Sequence, residues 1–270
     1  MARPCDKAVV LARGLGTRMR RDDAGVALSA DQQAAAANGA KAMMPLDRPF
    51  LDYLLHQLAE GGYRRVCLVV APDHEAIAAH IATLRPRRLS VTFAVQDEPR
   101  GTADAVSAAR DFAAGDDVLA INGDNYYPLS ALTRLRELGA SGLAAFTREG
   151  LLRGNIPAGR ISRFAVLELD ASGLLRRIVE KPTDEQVRQL GGPVLVSMNC
   201  WRFGPAIFDA CQAVAPSPRG ELELTDAVAL AIAGGESFRA VIVDEPVLDL
   251  SSRPDVAALM ARLAGTRVDL

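Results

Sequence analysis

The residues best suited to chemistry lie at the ends of apolar runs. Leu11-Ala12-Arg13-Gly14-Leu15-Gly16-Thr17-Arg18 follows directly on the run 8–11. Glycines there let the backbone turn tightly and bring N–H groups up to an anion; Thr17 adds a hydroxyl and Arg18 a two-pronged permanent charge. A strand-to-loop turn also needs glycine, so the glycines alone serve either purpose. The spacing excludes the Walker phosphate loop and the dinucleotide fingerprint, because Gly14-Leu15-Gly16 is followed by Thr17-Arg18-Met19. A second run, 117–121, ends in Asn122-Gly123-Asp124-Asn125, where Asp124 suits a turn cap as well as a metal or anion site. Lys41 and Lys181 stand out because, with Lys7, they are the only lysines in a chain that otherwise uses arginine. Lysine is usually a solvated surface charge; retained at these two places it suggests a need for a compact point charge.

The elements that must position these residues alternate regularly. Strands are expected over 66–71, 89–95, 117–121 and 142–147, with helices over 50–60, 74–84, 102–114 and 129–138. That order predicts an α/β fold, Rossmann-like, with a mostly parallel sheet and helices on both faces. Ligands bind beyond the carboxyl ends of such strands, where the Gly14 loop, Gln96 and Asp124 would meet. Between them, 19–40 is polar and alanine-rich and reads as a mobile loop containing a helical turn. Past Gly150 the texture shifts to short β-like runs, 164–169 and 174–179, with a hairpin turn at 170–173. A strand over 194–203, helices over 205–214 and 224–233, a strand over 239–243 and a helix over 254–264 complete the pattern.

Six segments in order resemble the sugar-phosphate nucleotidyltransferases, the nucleotide-sugar pyrophosphorylases. The glycine loop matches Leu-Ala-Gly-Gly-x-Gly-Thr-Arg with Arg13 in place of the first glycine of the pair. Lys41-Ala42-Met43-Met44-Pro45, Gln96 through Ala103, Asn122 through Asn125, Glu180-Lys181-Pro182, and the pair Glu223 through Asp226 with Asp249 through Asp255 supply the other landmarks. The resemblance covers nearly the whole chain and implies one nucleotidyltransferase domain over 1–270 of glycosyltransferase-A-like fold, with a nucleotide-binding half (1–147) and a sugar-binding half (148–270). No hexapeptide repeat is visible, so no β-helix tail is expected.

The implied reaction is attack of a sugar 1-phosphate oxygen on the α-phosphorus of a nucleoside triphosphate, with loss of pyrophosphate and with Mg2+ as cofactor. A phosphate monoester loses its second proton near pH ~6, so no general base is required, only positioning and charge neutralisation. By resemblance the catalytic residues are Arg18, Lys41, Asp124 and Lys181: Arg18 and Lys41 on the triphosphate, Lys181 on the sugar phosphate, Asp124 and Asp249 on the metal. Leu11, Ala12, Gly14, Gly16, Thr17, Gln96, Gly101 and Thr102 would join Arg18 around the nucleotide. Asn122, Ala165, Glu180 and Asn199 would join Lys181 around the sugar phosphate. Read alone, Asp249 is equally a strand-end turn residue. Two departures, Arg163-Phe164-Ala165-Val166 for Arg-Tyr-Gly-Val and Ser197-Met198-Asn199 for Asn-x-Gly, fall where sugar hydroxyls would be read. Glucose specificity therefore does not transfer, and another hexose phosphate or a cyclitol phosphate stays open. A catalytically silent regulatory homologue and a transferase for choline- or molybdopterin-like phosphates are the competing readings.

Composition bounds the partners. A net charge of -2 gives no global attraction to nucleic acid or anionic membrane, so phosphate affinity must be local. Cys5, Cys67, Cys200 and Cys211 form no C-x-x-C, no signal-like or membrane-spanning run is present, and a cytoplasmic protein is expected. The sequence leaves the oligomeric state open, with the exposed parts of 150–160 as the candidate contact surface should a homo-oligomer form.

Overall fold

A computed structural model describes residues 4–21, 23, 25–189 and 193–270. The chain opens with β1 (Lys7–Leu11), the one-turn helix α1 (Thr17–Arg20), α2 (Ala30–Ala37) and α3 (Phe50–Glu60). β2 (Arg65–Val70), α4 (Glu75–Leu84), β3 (Ser90–Val95), α5 (Thr102–Ala108) and α6 (Arg110–Ala113) follow. Next come β4 (Val118–Asn122), β5 (Asn125–Tyr126), α7 (Leu129–Glu137) and β6 (Gly142–Thr147). Short helices α8 (Arg148–Leu152) and α9 (Ala158–Ile161) lead to the hairpin β7 (Ala165–Leu169) and β8 (Leu175–Val179), then α10 (Asp184–Gln189). β9 (Leu195–Phe203), α11 (Ala206–Ala213), α12 (Leu224–Ala233), β10 (Arg239–Val243), β11 (Leu248–Asp249) and α13 (Arg253–Leu263) complete the chain.

The strands form a sheet in the order β10-β6-β9-β4-β1-β2-β3, with β7 and β8 attached beside β9. β1 pairs in parallel with β2 and β4, β2 with β3, and β6 with β10, as the alternation of strands and helices predicts. β9 runs antiparallel to both β4 and β6, and so joins the first half of the chain to the second in one sheet. Successive residues of β1 serve opposite faces. Ala8 and Val10 pack with Leu54 of α3 and Leu132 of α7, while Val9 packs with Val106 of α5 and Val228 of α12. A strand buried on both faces must be apolar throughout, which is why this run lacks polar alternation.

Two expectations need correction, and one element carried no expectation. The single helix over 102–114 is two, α5 and α6, broken at Ala109 and closed by Ala114 in the left-handed conformation (φ 48°). The stretch 19–40 is more ordered than a loop with one helical turn: Ser29 and Gln32 form a reciprocal capping box on α2, and the Gln32 amide reaches the Pro45 carbonyl. Residues 22 and 24 of that stretch lie outside the described residues. The two-residue ladder β5–β11 carries no periodic signal at all, yet it seats Asn125 opposite Asp249. A third apolar cluster, with Met19, Met44, Phe50, Leu250 and Val256, ties the glycine-loop end of the chain to that ladder.

Candidate active site at the carboxyl ends of the strands

Leu11 ends β1 opposite Asn122, the last residue of β4, and the Gly123 N–H donates to the Leu11 carbonyl at 2.9 Å. The glycine loop and the Asp124 turn are thus neighbours by register. Gly16 sits at φ 60°, and a Cβ there would stand 2.5 Å from the Gly39 carbonyl oxygen, so this glycine is required by packing. Gly14 differs, because a Cβ there meets nothing within 4 Å. Neither packing nor backbone conformation calls for glycine there, and its open side faces away from the protein's own atoms. Gly14→Ala should leave thermal stability within ~0.5 kcal/mol of the parent and raise the nucleotide KM, measured by calorimetry and initial rates. Arg18 and Thr17 are exposed on α1.

Arg13, the departure in the loop, spends its guanidinium on the main chain: Nε donates to the Gln96 carbonyl and Nη2 to that of Asp97, both at 3.0 Å. It fastens the glycine loop to the end of β3. Gln96 is buried, and its amide nitrogen donates to the Gly101 carbonyl at 3.0 Å and to Asp104 Oδ2 at 2.8 Å. Since an ionised carboxylate can only accept, Asp104 decides which way the amide points and leaves Oε1 as the face available to a ligand. Gly101 is locked at φ 129° against Leu222, while the Thr102 hydroxyl accepts from the Leu224 N–H at the start of α12. The sequence reading of Thr102 as a nucleotide contact did not anticipate that partner.

Lys41 Nζ lies 2.7 Å from Asp124 Oδ2, the two side chains 15% and 27% exposed. Asp249 is buried more deeply and heavily engaged. It accepts from Asn125 Nδ2 at 2.9 Å and from the Ser251 hydroxyl, and it forms an ion pair with Arg160. Arg160 also pairs with Asp255 at 2.8 Å. Among the described residues no group of three or more His, Cys, Asp or Glu side chains is placed to hold a metal ion.

Asn122, Ala165, Glu180 and Asn199, named from widely separated motifs, line one small cavity of about 70 Å³ with Arg163 and Ser197. Lys181 is not among its walls. Asn199 is held at φ 53° in a bulge of β9, where Leu143 faces Trp201 but Ala145 faces Ser197. Asparagine tolerates that conformation better than most residues, which accounts for its standing where glycine is usual. Lys181 shares the left-handed conformation at φ 46°. A run of hydrogen bonds joins the cavity to the Asp249 cluster: the Trp201 indole Nε1 donates to Asn199, Asn199 to Asn122, Asn122 to Asn125, and Asn125 to Asp249.

Glu180 is held above the usual carboxylate range by burial, with the nearby Glu223 charge adding to the effect. If it accepts hydrogen bonds from a bound ligand, affinity should rise as pH increases through that elevated pKa, since the ionised form is the better acceptor. Glu180→Gln should remove that rise while leaving the ligand phosphate's own titration in place, as read from KM against pH. The four thiols are inert by comparison: burial pushes Cys5 and Cys67 up to about 11 and Cys211 up to about 12.

A larger cleft of about 350 Å³ adjoins this cavity and is walled by Arg18, Arg21, Arg160, Arg163 and Arg253 together with Asp23, Ser252 and Pro254. Arg163 is common to both spaces. Motif reading gave a role only to Arg18 in this group and met Arg163 as the first residue of the segment that departs from Arg-Tyr-Gly-Val. The pair Arg160 and Arg163, three apart and bracketing the end of α9, was the available signal.

A family model described as nucleotidyl transferase matches residues 7–246. A glucose-1-phosphate thymidylyltransferase of Streptomyces griseus is 32% identical over 238 residues, which are 88% of this chain; the chain spans 60% of that relative's length. AglF of Haloferax volcanii, a UTP–glucose-1-phosphate uridylyltransferase, is 31% identical over 253 residues, 92% of this chain and 93% of its own. A crystal structure of UDP-glucose pyrophosphorylase complexed with UDP-glucose superposes with a TM-score of 0.75 over 97% of this chain. At 17% identity that likeness speaks for the fold alone.

Proposed function

The chain belongs to the nucleotidyl transferase family, and from that membership we propose that it joins a nucleoside triphosphate to a sugar 1-phosphate, giving a nucleotide-diphospho-sugar and pyrophosphate. The observation that carries the reading is convergence. The open face of Gly14, the Gln96 acceptor, the Lys41–Asp124 pair and the amide-lined cavity all gather where β1, β3, β4 and β9 end or bend.

The nucleophile arrives ionised, so the protein has no proton to move. Its task is to hold anions in line and neutralise them, which is where most catalysis of phosphoryl transfer comes from. The glycine loop offers N–H groups to the triphosphate, and Arg18 with Lys41 neutralises the departing pyrophosphate. For Lys41 this means exchanging Asp124 for phosphate oxygens as substrate binds. Asp124 is the side chain that fits Mg2+, because this ion takes one or two carboxylates plus substrate phosphates and Asp124 is accessible with a single ion-pair partner among the described residues. Bound there, Mg2+ would neutralise phosphate charge.

Gln96 bears on the base. With only Oε1 to offer, it accepts, and so it suits the N3–H of uracil or thymine and equally the N1–H of guanine, and disfavours cytosine and adenine, whose corresponding nitrogen is itself an acceptor. In the smaller cavity Asn122, Asn199 and Ser197 both donate and accept, while Glu180 accepts, a mixture suited to the hydroxyls of a hexose or cyclitol. The test is pyrophosphate release over a matrix of five nucleoside triphosphates and a panel of sugar and cyclitol 1-phosphates with Mg2+. Turnover with UTP, dTTP or GTP and one panel member is expected. No turnover in any cell, with nucleotide sugar still binding tightly, would replace the catalytic reading with a regulatory one.

A further inference from the structure

We propose that Arg13 is the positioning residue for base selection. By holding the main chain of Gln96 it makes the Gln96 acceptor rigid enough to reject cytosine and adenine, which present an acceptor of their own. Uracil, thymine and guanine, which present a ring N–H beside a carbonyl, are kept. The inference rests on the reading of Gln96 as the base contact; the sugar and the transfer step do not enter it.

Gln96 follows directly on β3, which ends the sheet and pairs only with β2. The exit of such an edge strand is held from one side, here by the Gln96 N–H donating to the Val70 carbonyl at 2.9 Å. Strand ends with so little support open more readily than the centre of a sheet. Arg13 supplies the missing hold. It leaves β1, an interior strand flanked by β2 and β4. Its root is fixed on both sides, by the Ala12 N–H on the Val69 carbonyl and the Gly123 N–H on the Leu11 carbonyl, both at 2.9 Å. From there the guanidinium reaches past β2 and donates from Nε to the Gln96 carbonyl and from Nη2 to that of Asp97, at 3.0 Å each. Two parallel N–H groups of one planar fork fix successive carbonyls in direction as well as distance. Among the described residues Arg13 forms no ion pair with a carboxylate, so these two carbonyls are what it serves.

The Gln96 side chain is fixed independently of its main chain. Its amide nitrogen donates to the Gly101 carbonyl and to Asp104 Oδ2, and Asp104 Oδ1 in turn accepts from Arg100 Nη2 at 3.0 Å. Asp104 therefore sets the direction of Oε1, and Arg13 sets its place. The division matters because attraction and rejection ask different things of an acceptor. A ring N–H is met even by an acceptor that has to move toward it. A ring nitrogen lone pair is rejected only by an acceptor that can neither back away nor admit a bridging water. Selection against cytosine and adenine thus needs a rigid Gln96. Triphosphate binding, which draws on the N–H groups of the glycine loop, does not.

Equilibrium titration by calorimetry reads this without turnover. The ligands are UTP, dTTP and GTP against CTP and ATP, with inorganic tripolyphosphate as the one that carries no base, all with Mg2+. Arg13→Met keeps the aliphatic stem and removes every donor. It should narrow the affinity ratio between the tightest of UTP, dTTP and GTP and each of CTP and ATP at least ~tenfold, while tripolyphosphate stays within about twofold; an ångström's misplacement can cost ~10²-fold. Arg13→Lys keeps a donor without the fork and should fall between parent and Arg13→Met. It carries the same comparison should Arg13→Met fold poorly. Equal weakening of every nucleotide and of tripolyphosphate would make Arg13 a phosphate contact and overturn the proposal, as would ratios unchanged in both variants. A parent protein that binds CTP or ATP as tightly as UTP, dTTP and GTP would remove Gln96 as the base contact and the proposal with it. Failure of nucleotidyl transfer itself would appear separately, as absence of product in the substrate matrix.

Discussion

Asp124→Asn should lower kcat for pyrophosphate release by about 10²–10³, or ~2.7–4 kcal/mol of transition-state stabilisation, the range found when one preorganised charge partner is removed from a reacting centre. The amide keeps the shape of the carboxylate and its place after β4, so the substitution removes charge while preserving the turn. Its effect on folding should be small. Lys41 and Asp124 are partly exposed, and an ion pair in that setting is worth ~1 kcal/mol or less. The expected result is therefore an enzyme with a nearly unchanged melting temperature and almost no turnover. A variant retaining more than a tenth of parental kcat would remove Asp124 from the catalytic centre and with it the candidate Mg2+ site.

Gly101→Ala should cost ~3 kcal/mol or more of stability, combining a left-handed backbone that L side chains rarely adopt with overpacking. A Cβ at this position would stand 2.4 Å from the Leu222 carbonyl oxygen and 2.7 Å from its nitrogen, at φ 129°. Both obstacles are main chain, and neither can rotate away. The Leu222 backbone is itself fastened, donating to the Arg100 carbonyl and accepting from the Ala103 N–H. For a chain of this size the loss corresponds to a fall in melting temperature of roughly 6–12 °C. Nucleotide binding should suffer too, because the Gly101 carbonyl orients the Gln96 amide. A melting temperature within 2 °C of the parent would show that the segment carrying Leu222 can retreat. The contrast with Gly14→Ala is the useful part: packing fixes one glycine and leaves the other free.

Much of the molecule was legible in the order of its residues. Parallel strands alternating with helices follow from apolar runs of the right length and spacing, since a buried strand must be apolar on both faces and a covering helix must show a stripe. α3 over Phe50–Glu60 and β6 over Gly142–Thr147 agree with expectation to the residue, because Pro49 and Gly61-Gly62 punctuate the first and the runs are unbroken. Positions were legible where a residue type is unusual for its surroundings, as with Asp124 after an apolar run or Lys41 in a chain of arginines. Breaks that depend on a local competition were not. Nothing in the composition of 102–114 marks Ala109 as the joint between two helices.

The sequence by itself determined the family and the sheet-and-helix frame, because periodicity and motif order are local properties. Tertiary structure alone decided how the motif residues divide the work. Arg13 turned to the carbonyls of Gln96 and Asp97, Gln96 became an acceptor once Asp104 claimed its amide, and Asp249 became the partner of Arg160. Two of these outcomes depend on a partner from a distant segment, Arg13 and Gln96 lying 83 residues apart and Asp249 and Arg160 89, while Asp104 reaches Gln96 from only eight residues on. A polar side chain takes its role from whichever opposite charge or carbonyl the fold delivers within about 3 Å, and no periodicity in the chain records that distance.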